Sequence, residues 1–172
     1  MENSGVPLPL REILKDFMKE LNLSFLSCLY FASRDGFGAN NFHAKCDGKN
    51  KIIVIIKSKG FYFGGYISSS SNSVRKGFQG NFFHSDYSFI FSFKSSKQIY
   101  FFKCVDHEKS IFDSSNCGPI FGYGHDIFIR NKSNQRNDDY TYIEYSRKVK
   151  KKEEIIQKSI YGKMVDLPFF HK

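Results

Sequence analysis

The strongest constraint on the fold is a run of five apolar residues, four of them isoleucine, at positions 52–56. All five are β-branched, so the run favours a strand, and because it has no polar position, both faces of that strand must be covered. We therefore place it at the centre of a sheet. Lys59-Gly60 turns the chain into residues 61–67, which predicts an antiparallel hairpin.

Residues 88–94 alternate in polarity, which predicts a strand buried on one face. We expect the phenylalanines to point inward and the polar residues outward. These are Phe89, Phe91 and Phe93 on one side, and Ser88, Ser92 and Lys94 on the other.

Several other short segments are typical of strands. Residues 99–105 and 126–130 are predicted strands, residues 141–145 are a candidate, and residues 25–31 fit either a strand or a buried helical turn. Gly64-Gly65 interrupts a strand pattern, which indicates a bulge. Many short strands separated by turn signals predict a mostly β (α+β) fold, a two-sheet antiparallel β-sandwich flanked by short helices.

Three helices are predicted. Residues 10–21 have apolar side chains at helical spacing, and we expect this helix to pack on its own domain rather than on a partner. A short helix carries Phe42 and Cys46 on one face, and residues 150–161 form the third helix. The predicted organisation is an N-terminal helix over residues 1–23, a sandwich domain over 24–145 and a basic helical tail over 146–172.

The charge and length of the chain limit its class. It has 172 residues and a formal net charge of +9 at pH 7. Basic proteins often bind anionic partners, but a lysine-rich solvated surface gives the same balance, so nucleic-acid binding stays open on charge alone. Since no apolar run approaches the ~20 residues of a membrane span and residues 1–10 lack a secretory signal pattern, we expect a cytoplasmic protein, and a monomer.

No pattern in the chain is typical of a catalytic or metal site. Its cysteines are far apart, without a C-x-x-C pair, and we expect them to be reduced; they are Cys28, Cys46, Cys104 and Cys117. His43 and Cys46 share a helical face, but a nucleophile pair needs an orienting group and zinc needs more ligands.

Two further patterns lack an essential part. Ser33, Asp35 and His125 are the residue types of a hydrolytic triad, but Ser33 does not lie in the G-x-S-x-G nucleophile elbow. The glycine-rich residues 118–124 lack the Gly-Lys-Ser/Thr of a phosphate-binding loop. We therefore expect no catalytic residue, cofactor or metal.

Four separated motifs nevertheless occur in an order and spacing that resemble the TLDc domain of the oxidation-resistance protein family. The resemblance covers roughly residues 24–130. Its positions are Ser33, Arg34, Asp35 and Gly36; Phe42, His43, Cys46 and Asp47; Gly64, Gly65 and Tyr66; and Gly118, Pro119, Phe121, Gly122, Gly124, His125 and Asp126.

The resemblance implies a fold and a functional class. TLDc domains are two-sheet β-sandwiches linked to protection from oxidative damage, and several bind the cytosolic sector of the vacuolar proton ATPase. The motif positions are then structural or partner-binding. The family usually closes with a strand of acidic-aromatic pattern, which residues 146–172 match poorly, so we expect residues 141–145 to replace that strand.

The sequence leaves three candidate functions. The leading prediction is a non-catalytic TLDc-type interaction domain that binds the vacuolar ATPase and contributes to oxidative-stress protection. The alternative is a thiol-based antioxidant enzyme using Cys46 or Cys117, which would need an exposed thiol of lowered pKa. A basic nucleic-acid-binding module is the third.

Overall fold

Two antiparallel sheets packed face to face confirm the predicted β-sandwich. A computed structural model describes residues 6–20, 22, 27–58, 61–69, 80–94, 98–104, 106–123, 125–135, 140–141 and 168–171. No helix within these ranges has the length and apolar character needed to cross a membrane.

Six strands form the first sheet. Their spatial order is β1 (Ser27–Phe31), β11 (Pro168–His171), β2 (Ile52–Ser58), β3 (Phe61–Ile67), β5 (Ser88–Lys94) and β6 (Gln98–Lys103). The apolar run at 52–56 is therefore central, as predicted.

Five strands form the second sheet. Their order is β10 (Tyr140–Thr141), β9 (Ile127–Arg130), β8 (Cys117–Phe121), β7 (Ile111–Asp113) and β4 (Asn81–Phe83). The α-helices of the described residues are α1 (Leu8–Glu20), α2 (Ala32–Asp35) and α3 (Ala39–Cys46), and 3₁₀ turns cover His107–Lys109 and Ser133–Gln135.

The β2–β3 hairpin confirms the prediction, but the predicted bulge is wrong. The pairing runs without a break from Ile52 opposite Ile67 to Ser58 opposite Phe61. The glycines serve close packing instead, because a Cβ on Gly65 would lie 2.5 Å from the ring of Phe121 on the second sheet.

The interior-facing side of β5 is the reverse of the prediction. Gly65 meets the second sheet and pairs with Ile90, so Ile90 faces inward, and Phe89 and Phe91 point to the outer face. The register places Phe93 on that outer face as well, and Ser88 and Ser92 inward. All three phenylalanines are nevertheless only 2% exposed. The polar alternation indicated the wrong interior face because both faces of this sheet are covered, and small serine side chains fit against the second sheet.

On the second sheet, the pairing register also separates two faces. Its inward face consists of Phe83, Ile111, Phe121 and Ile127, which align across four strands. Phe121 is fully buried against Gly65. The residues that alternate with these therefore point outward.

Helix α1 confirms the N-terminal helix, beginning two residues earlier than predicted. Leu10, Leu14 and Met18 form a buried stripe that belongs to the same apolar cluster as the sheets. This burial favours packing on the chain's own domain.

The C-terminal end differs from the expected tail. Pro168–His171 form β11, which pairs with β1 on one side and β2 on the other. These four residues thus belong to the sandwich. Tyr140–Thr141 pair with β9 in the other sheet, and residues 142–145, the rest of the candidate strand at 141–145, lie outside the described residues. The predicted helix at 150–161 lies outside the described residues.

The remaining strand predictions are mostly confirmed. Strand β1 decides the open choice for residues 25–31, and β6 and β9 lie within the predicted segments 99–105 and 126–130 to within a residue. Strands β4, β7 and β8 were missed; each is short, and the last carries Gly118-Pro119.

Candidate functional site

The first motif closes the junction between β1 and α2. Asp35 accepts the backbone N–H of Phe31 at 2.8 Å and pairs with the Arg34 guanidinium at 2.6 Å. The hydrogen bond from Arg34 is the main cause of a pKa of about 2 for this carboxyl. The Tyr30 hydroxyl donates to the Gly36 carbonyl at 2.6 Å. These contacts are structural.

The second motif places His43 between a carboxylate and two carbonyls. Its Nδ1 lies 2.8 Å from Asp47 Oδ1, and its Nε2 lies 3.0 and 2.9 Å from the carbonyl oxygens of Ser114 and Cys117. All these oxygens accept hydrogen bonds, so both ring nitrogens must donate, as only the imidazolium can. Burial alone would lower the pKa of His43, but the hydrogen bond and charge of Asp47 raise it overall. The charged ring ties α3 to the β7–β8 turn.

Phe42 and Cys46 form the buried face of α3, as predicted. Cys46 is 2% exposed, and burial raises the pKa of its thiol to about 12. A thiol in this environment stays protonated and is a poor nucleophile. Cys104 is also buried, Cys117 is half-buried, and Cys28 is exposed.

The third and fourth motifs lie in facing sheets, between which Gly65 meets Phe121. Tyr66 stacks on Phe89 with ring centroids 5.4 Å apart on the outer face of the first sheet. Gly118, Pro119 and Phe121 are buried in β8, and Asp126 is fully buried. Gly122 has a φ of 80° in the turn that follows, and its N–H donates to the Ser110 carbonyl at 2.8 Å. Gly124 lies outside the described residues.

The motifs therefore converge in the fold without forming a triad. His43 contacts the carbonyl of Cys117 in β8 and Gly65 lies against Phe121, so the second and third motifs each touch β8. Ser33 is exposed on α2, Asp35 is bound to Arg34, and His125 packs elsewhere against Phe112 and Phe128. Within the described ranges, no group of three or more His, Cys, Asp or Glu side chains could hold a metal ion.

A row of aromatic side chains crosses the outward face of the second sheet. The register aligns Phe82 on β4, Phe112 on β7 and Phe128 on β9, with the buried Ile120 of β8 between the last two. Phe82 lies 5.0 Å from Phe112 by ring centroids, and His125 bridges Phe112 and Phe128 at 5.1 and 5.6 Å. Tyr123, in the turn between β8 and β9, packs against Phe82 at 5.4 Å. We call these five side chains the aromatic row.

A cation lies at each end of the aromatic row. Lys109 Nζ is 4.1 Å from the ring centroid of Tyr123, and Arg130 Cζ is 5.2 Å from that of Phe128. Both distances are typical of cation–π contacts. Burial lowers the pKa of His125, so the ring inside the row is neutral near pH 7. The surface is aromatic along its length and positive at its ends.

Of this surface, sequence reasoning singled out only His125. The other members come from separate strands, and two of these, β4 and β7, were missed. The alternation of Ile111 and Phe112 spans too few residues to reveal a strand. No sequence signal marked the row, because the positive φ of 56° at His125 is a property of the folded backbone.

The comparisons with known proteins identify one family. The model of the family described as TLDc domain matches residues 9–159. No curated protein matches the chain. The match extends beyond the residues that carried the motif resemblance and covers α1 from its second residue, together with β1 to β10.

Proposed function

This chain belongs to the TLDc domain family, and from that premise we propose that it is a non-catalytic interaction domain that binds the cytosolic sector of the vacuolar proton ATPase. We further propose that this binding contributes to protection from oxidative stress. The location would be cytoplasmic.

The observation that carries the proposal is that the polar motif residues are hydrogen-bonded within the domain. Asp35 binds Arg34 and a backbone N–H, and His43 binds Asp47 and two carbonyls, so their hydrogen-bonding groups are directed inward. General acid–base and nucleophilic catalysis require such groups to face a substrate. The arrangement therefore supports a scaffold whose outer surface does the binding.

The thiol alternative is weakened by the surroundings of Cys46. A reactive cysteine is accessible and has a lowered pKa, whereas Cys46 is buried and its pKa is raised. Cys117, half-buried beside the carbonyl contact of His43, is the remaining candidate for such chemistry.

The proposal is tested by direct binding. The full chain is immobilised, and the purified cytosolic sector of a vacuolar ATPase is passed over it at low and at physiological salt. We expect saturable binding with a Kd of about 1 µM or tighter, as in ordinary specific interfaces. No binding at either salt concentration would overturn the proposed partner.

A matched variant separates binding from thiol chemistry. Cys46→Ala combined with Cys117→Ala removes both candidate thiols, and we expect it to bind the ATPase sector as the parent chain does. The two proteins are also compared for peroxide consumption in the presence of a dithiol reductant. Turnover by the parent chain that the variant lacks would contradict a non-catalytic role.

A further inference from the structure

We propose that the aromatic row, with Lys109 and Arg130 at its ends, is the docking surface for an acidic protein segment that has an apolar middle and a carboxylate toward each end. The inference rests on the proposed role as an interaction domain, and adds the surface and the chemistry of the segment that it binds.

Exposure and composition of the row favour a protein interface. Tyr123 is 55% exposed and Phe82, Phe112 and Phe128 are half-buried, whereas Ile120, between Phe112 and Phe128, is fully buried. Contiguous exposed aromatic surface marks interaction sites, and aromatic residues and arginine dominate their binding energy. The opposite face of the same sheet is buried against the first sheet, so a partner would approach from this side and contact the rings around the buried Ile120.

The charges around the row indicate an acidic partner. Lys109 and Arg130 hold one positive charge near each end. The carboxylates of Asp113 and Asp126, which adjoin the row in sequence, are buried. At the 3₁₀ turn beside β4, Asp86 and Glu108 are both bonded to His84 at 2.6 and 2.9 Å. These hydrogen bonds reduce the electrostatic repulsion between the two carboxylates and an incoming carboxylate. The formal net charge of +9 also favours an acidic partner.

The length of the row sets the spacing of the partner's charges. Phe82 on β4 and Phe128 on β9 are three strand spacings of about 4.8 Å apart, or roughly 15 Å. Arg130 lies on Phe128, and Lys109 lies on Tyr123 beside Phe82. A helix rises about 1.5 Å per residue, so carboxylates about ten residues apart would reach both cations. Apolar side chains on the same helical face would then lie along the rings between them.

The ring geometry favours protein over single-stranded nucleic acid. Bases bind by stacking on open ring faces. Here the rings pack against one another at 5.0–5.6 Å between centroids, and Lys109 covers a face of Tyr123, the most exposed ring. Ring edges and packed apolar area remain, and these suit aliphatic and aromatic side chains of a protein.

The test uses three probes with the full chain. The first is a fluorescent helical peptide of about 15 residues with leucine along one stripe and glutamate near both ends. The second has each glutamate replaced by lysine, and the third is an oligothymidylate. We expect the acidic peptide to bind at least about tenfold more tightly than the other two. No binding of the acidic peptide, or equal binding of the lysine peptide or the oligothymidylate, overturns the proposal.

Variants locate the binding on the row. Tyr123→Ala, and separately Lys109→Glu with Arg130→Glu, should each weaken the acidic peptide at least about tenfold. Matched controls lie on the first sheet: Tyr100→Ala, at a ring 37% exposed, and Lys57→Glu, whose Nζ lies 5.6 Å from the ring centroid of Tyr62. They should bind as the parent chain does. Thermal unfolding verifies that each variant is folded; peptide affinity unchanged in both row variants would overturn the proposal.

The same variants distinguish this inference from the proposed partner. If the ATPase sector binds the parent chain and both row variants equally, the row is not its docking surface and this inference fails while the proposed function stands. If the row binds the acidic peptide but the ATPase sector does not bind the chain, the proposed partner fails and the inference stands.

Discussion

His43 and Asp47 form an ion pair across one turn of α3, with Nδ1 2.8 Å from Oδ1 and the imidazole ring only 10% exposed. On its other side the ring donates to the carbonyls of Ser114 and Cys117. The protonated His43 thus connects α3 to the second sheet, and we expect this connection to weaken when the imidazolium loses its proton.

Stability should therefore fall as pH rises through the pKa of His43 in the fold. That pKa lies above its ordinary value of 6.5, so the imidazolium stabilises the native state fully below the unfolded pKa and progressively less above it. Near pH 6, His43→Gln should lower the free energy of unfolding by about 2–3 kcal/mol, because Asp47 loses its ion-pair partner.

The measurement is the unfolding midpoint of both proteins from about pH 5 to pH 9. We expect the difference between them to shrink as pH increases. The pKa of exposed His84 is also raised, by Asp86 first, so His84→Gln serves as the control for a pH effect unrelated to α3. Parallel pH profiles for the parent chain and His43→Gln would contradict the imidazolium assignment.

Phe91→Ala should destabilise the fold by about 3–5 kcal/mol, since it removes a fully buried ring and leaves a cavity. Phe91 is 2% exposed and lies 6.4 Å from Phe101 by ring centroids. Phe101 is 37% exposed, so Phe101→Ala is the matched comparison and should cost much less. Chemical denaturation measures both; equal losses would mean that the outer face of β5 is not covered as the structure has it.

Thiol labelling should separate the cysteines by burial. Cys28 is exposed and should react quickly, whereas Cys46 should react only on unfolding, because its pKa is raised to about 12. Variants with a single remaining cysteine, labelled by a maleimide between about pH 7 and pH 9, give the individual rates. Rapid labelling of Cys46 in the folded protein would support the thiol-based antioxidant alternative.

Removing β11 should unfold one side of the first sheet. β11 is hydrogen-bonded to β1 and β2 along both edges, and β1 pairs within the described part of the sheet only with β11. A chain ending at residue 166 should show a lower unfolding midpoint and increased binding of a hydrophobic dye.

A point substitution tests the pairing of β11 without shortening the chain. Phe170→Pro removes one N–H donor from an interior strand and should reproduce most of the loss of stability. Phe170→Tyr keeps the backbone donor and is the control. If truncation and Phe170→Pro both leave the midpoint unchanged, β11 contributes nothing to the sheet.

Local patterns determined the elements whose signal lies within a few consecutive residues. The β-branched run at 52–56, the turn at Lys59-Gly60 and the stripe of Leu10 and Leu14 specified a central hairpin and an amphipathic helix, because side-chain periodicity and turn chemistry act locally. The four motifs also identified the family before the fold was known.

Tertiary structure decided what depends on contacts between distant segments. Which face of β5 is interior follows from Gly65 meeting Phe121, and the sequence alternation had indicated the opposite face. Strand β11 could not be inferred from local sequence, because its partners β1 and β2 lie more than a hundred residues away along the chain. The aromatic row has the same origin: its members are ordinary strand and turn residues until pairing register aligns them on one outward surface.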